Sequence, residues 1–188
     1  MAMALIKSLI RVTLVTGLIL LVLLLAMQSS HDMVWDLFDF VVAGALLFST
    51  GFAFELIAKQ QGTTAYRVAA GMALVTALLL VWTNLAVGLI GSENNPANLL
   101  YGGVLAVGLV GAIIARFQPR GMVRTMFATA LVQFLVPVVA LLIWKPQLTS
   151  GVAKVFAANG LFVVLWIGAA MLFRYASTTG SNQSPRLA

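Results

Sequence analysis

The residues best equipped for chemistry come early. His31, Asp32, Asp36 and Asp39 lie in the stretch HisAspMetValTrpAspLeuPheAspPhe. In a helix, the three aspartates share one face through their i, i+4 and i, i+3 spacings. Hard carboxylate oxygens so arranged, with an imidazole alongside, suit a divalent cation, so His31 and Asp32 are candidate metal ligands. A second reading needs no ligand. Asp36 and Asp39 stand where a helix starts, and negative charge there suits the helix dipole. Trp35 is then an interfacial aromatic.

A second polar group runs from Trp82 to Tyr101 and holds Asn84, Glu93, Asn94, Asn95 and Asn98. With the aspartates it defines a candidate ligand-binding site of Asp36, Asp39, Glu93, Asn95, Asn84 and Tyr101. Tyr101 and Trp35 form its walls, and Asn84, about two turns deeper, its floor. The alternative is two helix ends capped independently. Asn94 or Asn95 serves as the cap of the later helix and Pro96 as its first residue. AsnProAla matches the aquaporin tripeptide, but capping accounts for a single copy at a helix start. Elsewhere, Glu55 is the one acid inside an apolar run. Lys59 follows at i+4, in the favourable order, so the pair reads as a structural ion pair, with a proton or cation relay as the other possibility.

Many chemistries are excluded. There is no cysteine, hence no thiol redox chemistry, disulfide or iron–sulfur cluster. One histidine cannot supply a multi-His zinc site or two axial haem ligands. No HisGluxxHis motif, Walker A loop or GxGxxG unit is present. No catalytic residue and no cofactor is assigned from the sequence.

The elements that must hold these residues are set by composition. Of 188 residues, 62% are hydrophobic and 9% charged, which no water-soluble fold of this size can bury. A spanning helix needs about 20 apolar residues. Six runs qualify: Ser8 to Met27, Phe38 to Ala58, Val68 to Ile90, Ala97 to Phe117, Val123 to Trp144, and Val152 to Phe173. The expected fold is an all-α, polytopic membrane bundle of six helices. It forms a single domain over 1–175, with a polar, disordered cytoplasmic tail over 176–188. The first run has the basic start and apolar stretch of a signal peptide, but AlaMetGln before Ser29 is a poor cleavage site.

Charge predicts the orientation. Lys7, Arg11, Lys59, Arg67, Arg116, Arg120, Arg124, Arg174 and Arg186 fall on one side of the six runs; Lys145 and Lys154 fall on the other. The positive-inside rule makes the first side cytoplasmic, with both ends of the bundle there. The net charge of +6 therefore reflects topology, and no nucleic-acid partner is expected. The partners expected are the lipid bilayer and either further copies of the chain or other membrane subunits.

Small residues mark where helices approach. Ala69, Ala73 and Ala77 form one such face; Gly108, Gly111, Ala112 and Ala115 form another. A faint repeat lays Asp39–Leu46 on Asn98–Leu105, matching Gly44, Leu46, Ala53 and Gly62 with Gly103, Leu105, Ala112 and Gly121. Few ionisable groups and short loops point to a non-enzymatic subunit, small-ligand binder or assembly factor. The rival is a small oligomeric transporter or channel lined by Ser49, Thr50, Thr76, Asn84, Gln133 and Asn159. A membrane enzyme using the outer-face acids is the third reading.

Residues 82–124, through GlyValLeuAlaValGly and AlaArgPheGlnProArgGlyMet, resemble a family of small uncharacterised bacterial inner-membrane proteins. The resemblance covers the middle of the chain. It implies a bacterial inner-membrane protein and no particular activity.

Overall fold

A computed structural model describes residues 2–29, 35–59, 63–92, 94–144 and 150–181. Most of those residues are helical, with no strand among them. The helices are α1 (Ala2–Ser29), α2 (Leu37–Ala58), α3 (Thr64–Ala86), α4 (Leu100–Ile114, preceded by a 3-10 turn at Pro96–Leu99), α5 (Pro119–Trp144) and α6 (Ser150–Ser181). Each of the six is long and apolar enough to span a membrane. The shortest candidate span, Pro96–Ile114, has 19 residues. At 1.5 Å per residue it still approaches the roughly 30 Å of a hydrocarbon core. Large apolar side chains such as Leu14, Leu18, Phe38, Ile114 and Leu142 face outward, as lipid rather than water requires. The chain is a multi-pass helical membrane protein. Helix α6 extends to Ser181, beyond the end of the last apolar run; Ser177 and Thr178 return their hydroxyls to the carbonyls of Arg174 and Tyr175.

The chain forms two compact units, residues 1–59 and 60–188. The first is the antiparallel α1–α2 hairpin. Its seam follows from glycines on one face of α2. A Cβ at Gly51 would lie 3.1 Å from Val12 Cγ1, and one at Gly44 would lie 3.3 Å from Leu20 Cδ1. Close approach of backbones replaces the hydrophobic drive that lipid cannot supply.

In the second unit α6 packs between α3 and α5, and α5 packs on α4. The α3–α6 seam uses Ala69, Ala70 and Ala73 on one side and Ala169, Ala170 and Phe173 on the other, all buried. Tyr66 meets the Phe173 ring edge-on at 5.3 Å, and Met72 lies against Gly168. Between α4 and α5, Gly108 lies opposite Thr129 and Gly111 opposite Thr125. Thr125 and Thr129 return their hydroxyls to the carbonyls of Gly121 and Thr125 on their own helix. Their methyls are then left for packing. The α4–α5 turn carries two consecutive left-handed residues, Arg116 (φ 48°) and Phe117 (φ 56°). Such a pair is strained for side chains with a Cβ. It is held by the fully buried Tyr66, whose hydroxyl donates to the Phe117 carbonyl at 2.6 Å.

Candidate functional site

In the first unit Asp36 and Asp39 hold each other. Asp39 N donates to Asp36 Oδ1 at 2.9 Å, and Asp36 N donates to Asp39 Oδ2 at 3.0 Å. This reciprocal pair is a capping box at the start of α2. One oxygen of each carboxylate is therefore engaged with backbone, which is the capping role the sequence allows. His31, Asp32 and Glu93 lie outside the described residues. Among the described residues no cluster of three His, Cys, Asp or Glu side chains is placed to hold a metal ion.

Glu55 is more heavily held than its i+4 lysine alone implies. Arg11 Nη1 lies 2.8 Å from Oε1, Ser8 Oγ donates to Oε2 at 2.8 Å, and Lys59 Nζ stands 3.7 Å from Oε2 while donating to Ser8 Oγ at 2.7 Å. Two cations and a hydroxyl converge on one carboxylate from both helices. They clasp the open end of the hairpin, where both cations remain exposed.

The other candidates belong to the second unit. Helix α3 ends with Gly88 left-handed (φ 69°), its N–H given to the Thr83 carbonyl at 3.1 Å. A second left-handed residue, Gly91 (φ 75°), turns the chain back; a Cβ there would lie 2.9 Å from Asn95 Nδ2. Asn95 caps the 3-10 turn, accepting from Ala97 N at 3.0 Å. Asn98 pins the loop, accepting from Ile90 N at 2.8 Å and donating to the Ser92 carbonyl at 2.7 Å. Asn84 lies deeper in α3 and donates to the Leu80 carbonyl at 2.8 Å. Asn84 Oδ1 is buried and accepts no hydrogen bond among the described residues.

Tyr101 does not wall this loop. It is 2% exposed and points into the core, toward Asn159 of α6. Asn159 is a hub. Its Nδ2 donates to the Val155 carbonyl and to the Tyr101 oxygen, both at 2.8 Å. Its Oδ1 accepts from Gln133 Nε2 at 2.8 Å and from the Tyr101 hydroxyl at 3.0 Å. A carbonyl only accepts, so Val155 fixes which end of the Asn159 amide faces it. That in turn fixes the Gln133 amide. Its nitrogen must face Asn159, leaving Gln133 Oε1, fully buried, without a donor among the described residues. Trp166 Nε1, two turns further along α6, is likewise a buried donor without an acceptor among them. Gln133 and Asn159 are legible in sequence as amides inside apolar runs that need partners. Nothing in their spacing shows that they partner each other and Tyr101.

Beside this cluster lies a cavity of about 600 Å³. Thr83 and Val87 of α3, Pro137 and Ala140 of α5, and Val155 and Ala158 of α6 form its walls, and the 88–91 loop closes one side. Trp144 and Lys154 also contribute, at the loop end of their helices. The lining is mainly apolar, and its size falls within the range of small-molecule sites. Comparison of the chain with protein-family models, with curated proteins and with solved structures finds no match.

Proposed function

We propose that this is a non-enzymatic, multi-pass protein of a bacterial inner membrane that binds a small membrane-soluble ligand between α3, α5 and α6. The observation that carries the reading is the cavity of about 600 Å³ between three helices and the 88–91 loop, lined mainly by apolar groups. The other readings ask for groups that are otherwise engaged. A transporter or channel needs polar side chains free to pass a solute along. Thr76 donates to the Met72 carbonyl, and Gln133 and Asn159 bond to each other. An outer-face enzyme would draw on Asp36 and Asp39, which cap α2. The test is to purify the protein from its membrane and identify bound small molecules by native mass spectrometry. An apolar compound should accompany the wild type and be lost from Ala158→Trp, which places a ring in the cavity. The same compounds bound equally by both proteins would sink the reading.

The resemblance of residues 82–124 and the distribution of basic residues support the inner-membrane placement, with both ends of the bundle cytoplasmic. Alkaline phosphatase fused after residue 94 should be active, and fused after residue 62 or 120 inactive. The opposite pattern would reverse the orientation.

A further inference from the structure

The polar side chains that line the cavity are chiefly donors. Lys154 and Trp144 stand at the loop end of their helices, and Asn95 lies against Gly91 in the closing loop. Lys154 is exposed and forms no ion pair or side-chain hydrogen bond among the described residues. Asn95 Oδ1 is taken by Ala97 N, while Asn95 Nδ2 donates to nothing there. The Trp144 indole N–H donates to nothing there either. The Thr83 hydroxyl can serve as donor or acceptor. No carboxylate lies among the lining residues. The lining thus offers one unbalanced positive charge with neutral donors, at the end of walls that are mainly apolar. Complementary charge and complementary hydrogen bonding select what such a site takes.

We propose that the ligand is a single-chain amphiphile with a carboxylate head, bound with its head at Lys154 and its chain between α3, α5 and α6. This rests on the ligand-binding reading and names the class of ligand. One ammonium balances one carboxylate, whereas a phosphate monoester carries about −1.5 to −2 charge at pH 7. Lys154 is exposed, so a head held there keeps its water while the apolar chain leaves water behind. A cavity of about 600 Å³ is of the size that takes one drug-sized molecule. It has room for one acyl chain and not for the pair that a phospholipid carries.

The probes are a long-chain carboxylic acid brominated beside its head, its methyl ester and the matching alkyl phosphate, titrated in non-ionic detergent at mildly alkaline pH. Bromine near Trp144 quenches its fluorescence. The acid should quench saturably, and Trp144→Phe should remove that saturable part. The acid should bind about five-fold more tightly than the ester, since an exposed ion pair is worth up to about 1 kcal/mol and tenfold corresponds to 1.4 kcal/mol. Lys154→Gln should abolish that difference while the ester still binds, and Lys154→Arg should retain it. Asn95→Asp keeps an oxygen for Ala97 N and puts negative charge in place of the free amide. It should weaken the acid and spare the ester, and it serves if Lys154→Gln does not fold. Equal binding of acid and ester would overturn the carboxylate assignment while leaving the cavity a binding site. A preference for the acid that survives Lys154→Gln would overturn the role of Lys154. Tighter binding of the phosphate would overturn the match to a single charge. Saturable quenching undiminished in Trp144→Phe, or absent with all three probes, would overturn the ligand-binding reading itself.

Discussion

Asn159→Leu should cost about 2–4 kcal/mol of stability, read as a lowered unfolding midpoint in detergent. The substitution leaves Gln133 Nε2, the Tyr101 hydroxyl and the Val155 carbonyl without their shared partner, all in an apolar interior. Each lost bond is worth on the order of 1 kcal/mol between helices in lipid, and a stranded polar group adds its own desolvation cost. The loss should also be non-additive. Tyr101→Phe and Gln133→Met, each milder alone, should cost little more when added to Asn159→Leu, because the hub has already gone. Simple additivity of the three variants would mean that they do not share one network.

Gly121→Ala should be comparably damaging, although it adds a single methyl. That methyl would sit 2.6 Å from Ala115 Cβ and 3.1 Å from Ala115 Cα. Neither atom can rotate away, so the backbone of the α4–α5 turn must move. The turn is already strained at Arg116 and Phe117 and pinned by Tyr66. Overpacking of this kind costs about 1–3 kcal/mol where side chains can shift, and the rigid neighbour here sets the upper end. Gly102→Ala is the control. Nothing lies within 4 Å of a Cβ at that position, and its unfolding midpoint should be nearly unchanged. Equal behaviour of the two variants would contradict the tight α4–α5 approach.

The spans were legible because an apolar run of membrane length admits little else. The capping of α2 was legible too. The i, i+3 spacing of Asp36 and Asp39 is local, and local spacing determines a capping box. The small-residue faces at Ala69 and Ala73 and at Gly108, Gly111 and Ala112 were read correctly as seams, although their partners were not. What stayed hidden depends on which helices are neighbours. Tyr101 sits in sequence beside the 91–98 loop and looks like part of it. Only with α6 at hand does it turn inward to Asn159. The Arg11 and Ser8 contacts to Glu55 are of the same kind, since hydropathy does not report which residues of two antiparallel helices come level. The cavity is the extreme case, being a gap between helices from distant parts of the chain.

The placement of α6 between α3 and α5 has a consequence for how the protein is made. Spans enter the membrane in the order of synthesis, so α3, α4 and α5 are in place before their common partner emerges. Until then Gln133 and Tyr101 lack the amide that joins them, and the alanine face of α3 has no alanine face to meet. The last span supplies the partner that those groups lack until it arrives. A chain cut short before α6 would present those amides and hydroxyls to lipid, the signature by which an unfinished membrane protein differs from a finished one.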